Sequence, residues 1–290
     1  MIFHLQNLKK FFQNKIFLFI LAILLISIAL WYWHYTQSYV SSDDAYVNAN
    51  IVEVAPRVSG QVIHLYVVNN QFVQKNQLLF ELDQDPYKIA VAKASAELDM
   101  ADADLIHSKI TTHRTDILVK TKVLAMQSHD DALARYENAV AGVALAKTIL
   151  AEAKLNLLYT KVFAASNGWI SNMTLRAGNN VIANQPLFAL ISDNEFWVDA
   201  NFKETELENV RPGQKAIIHV DMYPNYAFYG IVESISGGSG AAFSLLPPQN
   251  ATGNWVKVTQ RVPVKIRIIN IDKNHLLRVG TTASVTIKTI

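Results

Sequence analysis

The sequence predicts a mainly β protein carrying an α-helical coiled-coil hairpin: an N-terminal transmembrane helix, a β-domain split into two stretches, an antiparallel helix pair between them, and a C-terminal β-barrel. Three observations predict it. Residues 60–83 and 168–191 are copies of one another, the residues between them switch to heptad periodicity, and everything after Asp193 returns to short strands punctuated by proline and glycine.

The transmembrane helix comes first in the chain. From Ile16 to Trp33 no residue is charged and Ser27 is the one clearly polar side chain, a run that reaches the lower length range for spanning a bilayer as a helix. Trp31, Tyr32, Trp33 and Tyr35 gather at its far end, where aromatic rings favour the headgroup layer, while Lys9, Lys10 and Lys15 precede it. The expected topology is a cytoplasmic N-terminus over 1–15, a single membrane pass over 16–35, and the bulk of the chain outside. A cleaved signal peptide is the competing reading. The length of the run, its aromatic end and the lack of a small-x-small site close behind it favour an uncleaved anchor.

The split β-domain follows from the repeat. The two 24-residue stretches align without a gap at an offset of 108, and seven positions are identical, pairing Gly60 with Gly168, Val73 with Val181, Asn76 with Asn184, Gln77 with Gln185, Leu79 with Leu187, Phe80 with Phe188 and Leu82 with Leu190. Each copy places alternating apolar runs around a polar turn, Asn69-Asn70-Gln71 in one and Ala177-Gly178-Asn179 in the other, which reads as a β-hairpin. A lone hairpin is marginal in water, so the copies are expected to pack on each other as one discontinuous domain, 45–87 with 159–192.

Residues 88–158 between them form the predicted hairpin. One seam runs Val91, Ala94, Leu98, Ala101, Leu105, Ser108, Thr112, Thr115, Val119; the other runs Ala132, Tyr136, Ala139, Val143, Ala146, Leu150, Ala153, Leu157. Asp85-Pro86 is expected to cap and open the first helix, Ser128 with Asp131 to form a capping box on the second, and the chain to reverse near Met126–Ser128. A first helix of about 38 residues would extend roughly 57 Å. Its distal seam turns polar at Ser108, Thr112 and Thr115, which leaves two readings: a surface suited to a partner, or solvated positions near a frayed tip.

The last element covers 193–290, where strands such as KAIIHVDM and ASVTIKTI separated by Pro212-Gly213, Pro224-Asn225 and Gly280 predict a small antiparallel barrel or sandwich, with the barrel as the expectation. The Gly-rich segment 236–240 leads into Phe243, Leu245 and Leu246, three apolar residues on an expected loop. They form a contact surface for a partner, or they fold back on the barrel.

Composition narrows the function. With a net charge of +2 and three lysines before residue 16, the rest of the chain sums to −1 and offers no basic footprint for nucleic acid. The chain has no cysteine, which excludes disulfides, thiolate metal sites and cysteine nucleophiles. None of its eight histidines pairs with another at a helical spacing of three or four, and no phosphate loop, dinucleotide fingerprint or G-x-S-x-G occurs. The Asp43-Asp44 and Asp130-Asp131 pairs read as solvated or capping groups. A non-enzyme without cofactor or metal is expected.

The single anchor, SSDDAYV at 41–47, the split repeat around a helical hairpin, and GNWVKVTQRVPVKIRI at 253–268 together resemble the HlyD-like membrane fusion proteins, in particular the EmrA and AaeA branch of periplasmic adaptors. The resemblance extends from the anchor to the C-terminus. It implies that the split domain is similar to a biotinyl/lipoyl domain; Lys88 lies near the turn where a carrier bears its modified lysine, but inside a helix, which argues against a swinging arm. It implies an adaptor of a tripartite efflux pump for drugs or small toxic compounds, held in the inner membrane, with an inner-membrane transporter of the major facilitator type, a TolC-like outer-membrane channel and further copies of itself in a ring as partners. A HlyD-type adaptor for an ABC-driven secretion system is the alternative. Adaptors of this kind carry an Arg, Leu, Ser pattern at the hairpin tip: Arg114 and Leu118 match its first spacing, the next position is Ala125, and the nearest serine is Ser128, with Met126 beside it.

Overall fold

The computed structural model describes residues 23–27, 38–243, 257–269, 271–272 and 274–289. The predicted cytoplasmic segment 1–15 and most of the predicted anchor 16–35 lie outside them, as do Leu245 and Leu246. Among the described residues no helix is long and apolar enough to cross a membrane. The chain divides into two compact units, residues 51–194 and residues 1–50 with 195–290.

The first unit contains both copies of the repeat. The first copy supplies strands β2 (Gly60–Leu65), β3 (Phe72–Val73) and β4 (Leu78–Leu82); the second supplies β5 (Lys161–Phe163), β6 (Gly168–Ser171), β7 (Asn180–Val181) and the start of β8 (Phe188–Lys203). Each copy exchanges the same bonds with the other. Gly60 pairs with Val181 and Gly168 with Val73, 108 residues apart in both members. Val62 N–H donates to Asn179 O at 2.9 Å and Ile170 N–H to Gln71 O at 3.0 Å; Asn76 N–H donates to Ala164 O and Asn184 N–H to Pro56 O, both at 2.8 Å. The halves are thus related by a pseudo-twofold. The buried residues are also mates: Val62 with Ile170, Val67 with Leu175, Val73 with Val181, Phe80 with Phe188, Leu82 with Leu190. Phe80 and Phe188 meet edge to face at 6.2 Å, the aromatic geometry in which ring quadrupoles attract.

This pairing corrects the expectation of a self-contained hairpin in each copy. After the turn at Asn70 (φ 64°), β3 pairs with β6 of the other copy and not with β2 beside it. Neither half can satisfy its backbone alone, so the two fold together. The boundary also moves. Ala45 pairs with Ala283 and Tyr46 with Thr282, so residues 45–50 of β1 (Tyr39–Val54) belong with the barrel unit rather than the split domain.

Between the copies run α1 (Asp85–Lys120) and α2 (Met126–Leu158). Proline stands in the first turn of α1, where its missing N–H costs nothing. Asp85, the predicted cap, is the first helical residue: the cap position falls to Gln84, whose side chain makes no capping bond, and Asp83 Oδ1 accepts the Asp85 N–H at 3.0 Å. The capping box predicted on Ser128 does not form, because the cap position lies three residues earlier, at Ala125 in extended conformation, and Ser128 is already inside the helix. Every position of both predicted seams is buried or half-buried, with Ala94, Ser108, Ala132, Ala139, Val143 and Ala146 buried most fully. Small residues facing the opposite helix let the two backbones approach closely, as ridges into grooves.

In the second unit, β1, β12 (Thr282–Lys288), β9 (Lys215–Val220), β10 (Ala227–Ile235), β11 (Arg261–Ile268) and the end of β8 pair in that order, and β1 pairs back to β8. The ring closes as a six-stranded barrel, which leaves no unpaired edge. Strict alternation fills it: Ala216, Ile218 and Val220 of β9 point inward against Ala283, Val285 and Ile287 of β12. Gly230 is required there, since a Cβ would come within 2.7 Å of Ile266 and 2.9 Å of the Arg267 carbonyl.

Candidate contact surfaces

The free end of the hairpin is built by a helix stop that the sequence conceals. Val123 N–H donates to Leu118 O and Lys122 N–H to Val119 O, both at 2.9 Å, with Lys122 at φ 58°. This is a Schellman motif with lysine in the left-handed position that glycine usually takes. The reversal therefore occupies 121–125, ahead of the predicted Met126–Ser128. Of the predicted tip residues, Arg114 is exposed and Leu118 half-buried on the last turns of α1, Met126 is 61% exposed at the start of α2, and Ser128 is half-buried with its N–H on Ala125 O. Arg114 and Leu118 share a helix face at a spacing of four. Sequence reasoning missed Ile117 and Val123, 49% and 69% exposed, which with Met126 give the tip an apolar surface. An apolar residue directly after a disguised stop carries no signal in the sequence.

Charge flanks that surface. Lys120 Nζ lies 2.8 Å from Asp116 Oδ2 and, through this bond first, holds the Asp116 carboxyl below its ordinary range; His129 and His113 act in the same direction. The polar seam residues are buried or half-buried and bonded to backbone carbonyls. The Thr112 hydroxyl is 2.9 Å from Ser108 O on its own helix and from Ala132 O on the other, Thr115 bonds Thr112 O, and Ser108 is buried. One flank of the hairpin carries a groove of about 320 Å³ lined by Ala101, Asp104, His107, Ala132, Arg135 and Ala139, among others. It lies where small side chains stand on both helices.

At the base of the same unit, Glu81 collects Lys161 at 3.1 Å and the Tyr66 hydroxyl at 3.0 Å. The Lys161 bond is the main cause that lowers the Glu81 pKa, and the bond to Glu81 is the main cause that raises that of Tyr66. Among the described residues no three His, Asp or Glu side chains converge to hold a metal.

The predicted contact loop leaves the barrel after β10. Phe243 closes a short 3-10 turn, Gly240–Phe243, and the chain re-enters at Arg261. Tyr39 is level with Lys288, Ile287 with Ala216, and Lys215 with Ile231, so β1 begins at the end of the barrel where β10 finishes and β11 starts. The connection bearing Phe243 therefore emerges at the end where the chain enters from its N-terminal segment.

Comparison with known proteins accords with this architecture. The family described as RND MFP, barrel-sandwich hybrid domain matches residues 50–193, and the AAEA-like beta-barrel domain matches 195–288. The colistin resistance protein EmrA of Acinetobacter baumannii is 31% identical over 324 aligned positions, covering 92% of this chain and 92% of its own length. The multidrug export protein EmrA of Haemophilus influenzae is 30% identical over 322 positions, covering 94% and 83%. The solved structure of the membrane fusion protein Spr0693 from Streptococcus pneumoniae R6 superposes with a TM-score of 0.65 at 17% identity, covering 87% of this chain and 99% of that one, a likeness of fold. The chain belongs to the HlyD-like membrane fusion protein family of periplasmic adaptors. Within it, the match of the barrel and of these relatives puts it in the EmrA/AaeA-type branch.

Proposed function

We propose that this chain is the adaptor subunit of a tripartite efflux pump that exports drugs or small toxic compounds. Residues 16–35 anchor it in the inner membrane with 1–15 in the cytoplasm. Copies of the chain form a ring, their helices supercoil as a coiled coil, the membrane-proximal barrel meets an inner-membrane transporter of the major facilitator type, and the hairpin tip meets a TolC-like outer-membrane channel. The chain performs no catalysis; its work is to hold two membrane proteins in register around a conduit.

The observation that carries this reading is the reciprocal pairing of the two repeat halves, which brings the ends of the inserted helices together and sends a hairpin of about 54 Å out from the domain. The exposed Val123 and Met126 give that hairpin an apolar end, and Arg114, Leu118 and Ser128 stand close behind it. The Phe243 loop, at the barrel end where the N-terminal segment enters, is suited to a transporter in the same membrane. Relatives named for colistin resistance and multidrug export favour drug efflux over an ABC-driven secretion system.

Because the chain has no cysteine, single introduced cysteines are unique reporters. Val123→Cys and Met126→Cys are expected to crosslink to an outer-membrane channel in intact cells, and Lys93→Cys near the base is not. Crosslinks from the base alone would remove the bridging role.

A further inference from the structure

One short stretch of the split domain reaches both helices of the hairpin. In the first turn of α1 the Tyr87 hydroxyl donates to Ser59 O at 2.5 Å, and at the end of α2 the Arg57 guanidinium sits 4.7 Å from the centre of the Tyr159 ring. The stretch is itself held firmly. Pro56 and Val58 are buried, Pro56 O accepts the Asn184 N–H, and Ser59 Oγ accepts the Ala183 N–H at 2.9 Å.

The pseudo-twofold supplies a comparison within the molecule. The mate of 56–59 is 164–167, and it repeats both holding bonds: Asn76 N–H to Ala164 O, and Lys75 N–H to Asn167 Oδ1 at 2.8 Å. The mate of Arg57 is Ala165, too short to reach anything comparable, and no helix follows on that side. Holding the β-domain together thus requires the shared bonds alone. Arg57 and Tyr87 are additions found where the helices attach.

The two necks of the hairpin leave the paired strands β4 and β5, whose ladder ends with Leu82 N–H to Thr160 O at 2.9 Å, and Asp83 N–H to Gln61 O at 2.8 Å ties the first neck to β2; these bonds lie at the strand ends, short of the helices themselves. Contacts from Tyr87 and Tyr159 to 57–59 add two points on the helix ends, beyond the strand ladder, and restrict tilt of the rod on the domain. The rod amplifies any rotation at its base: 10° moves its far end by about 9 Å over a helix of this length. We infer that Arg57 and Tyr87 form a clasp, one arm to each helix, which sets the angle of the hairpin on the split domain. Both are positioning residues, and a cation over an aromatic ring and one exposed hydrogen bond are weak enough to release under load. That the fixed angle aims the tip at a channel rests on the adaptor reading; the angle itself does not.

The test uses the full chain in lipid nanodiscs, carrying nitroxides at Lys75→Cys and Gln127→Cys and diluted with unlabelled chain so that only distances within one copy are read. In Arg57→Ala/Tyr87→Phe the distance distribution is expected to be at least twice as broad as in the parent, with an unchanged melting temperature. Arg57→Lys, which keeps a cation on the Tyr159 ring, restores a narrow distribution. Tyr87→Phe alone, a change that removes only a hydroxyl, gives an intermediate width and guards against misfolding of the double variant. Equal widths in the double variant and the parent overturn the clasp. Broadening together with failed channel crosslinks from Val123→Cys would leave the clasp standing and sink the adaptor reading instead.

Discussion

Gly60 and Gly168 are identical in sequence and equivalent by pseudosymmetry, yet they are glycine for different reasons. A Cβ on Gly168 would lie 2.1 Å from the Ile191 carbonyl oxygen, whereas on Gly60 the nearest atom is 3.6 Å away. Gly168→Ala is therefore expected to destabilise the chain by roughly 1–3 kcal/mol, the cost of forcing backbone apart, and Gly60→Ala to be near neutral. Thermal melts of the two variants read the difference; equal shifts would contradict it. The repeat made both glycines visible, but only the β6–β8 pairing separates them. Glu81 offers a second measurement. Its pKa is lower in the folded chain than its ordinary 4.5, chiefly through Lys161, so its pairing contributes in full above that value and is lost as pH falls through the lowered one. Glu81→Gln should flatten the acid limb of the stability curve below about pH 4.5 and leave the slope at neutral pH unchanged; denaturant titrations from pH 3 to 7 test both limbs.

At the scale of elements, α1 was legible in its seam and illegible at its end. The heptad pattern located the buried face of both helices, because apolar spacing is a local property of the chain. The stop is a matter of one backbone dihedral, and Lys122 adopts it without the glycine that would announce it. Lysine in the left-handed region costs roughly 1 kcal/mol relative to glycine, so Lys122→Gly should raise the melting temperature of the hairpin, and Lys122→Val should lower it. Circular dichroism at the helical minimum follows both. The polar seam shows the same division between pattern and partner. Ser108, Thr112 and Thr115 left open a partner surface or solvated positions near the tip, and neither reading foresaw the Thr112 hydroxyl meeting Ala132 O on α2. Thr112→Val would keep the shape, remove that cross-helix bond, and cost about 1 kcal/mol.

For the whole molecule, the decisive relation is that each half of the split domain completes the other. Leu82 and Thr160 are bonded neighbours, so the chain can pass from one half to the other without the helices. Replacing 85–158 by a short Gly-Ser linker is expected to leave a folded protein, since shortening a closed loop lowers its entropic cost. The near-ultraviolet signal of Trp169, beside Phe72 in the β3–β6 pair, should be retained. Loss of that signal would mean that the helices, and not the reciprocal strands, organise the domain.

The sequence by itself determined that there are two related β-stretches, a helical pair between them, a separate β-region after them, and an apolar segment before them. Each of these is written in local periodicity and in the repeat, which need no knowledge of the fold. Which strand pairs with which, that residues 45–50 join the barrel, where the hairpin turns, and that Arg57 and Tyr87 grip its base were decided by tertiary structure. These depend on bonds between residues well separated in the chain, from Ser59 with Tyr87 to Ala45 with Ala283, or on a single dihedral, and neither leaves a period in the chain.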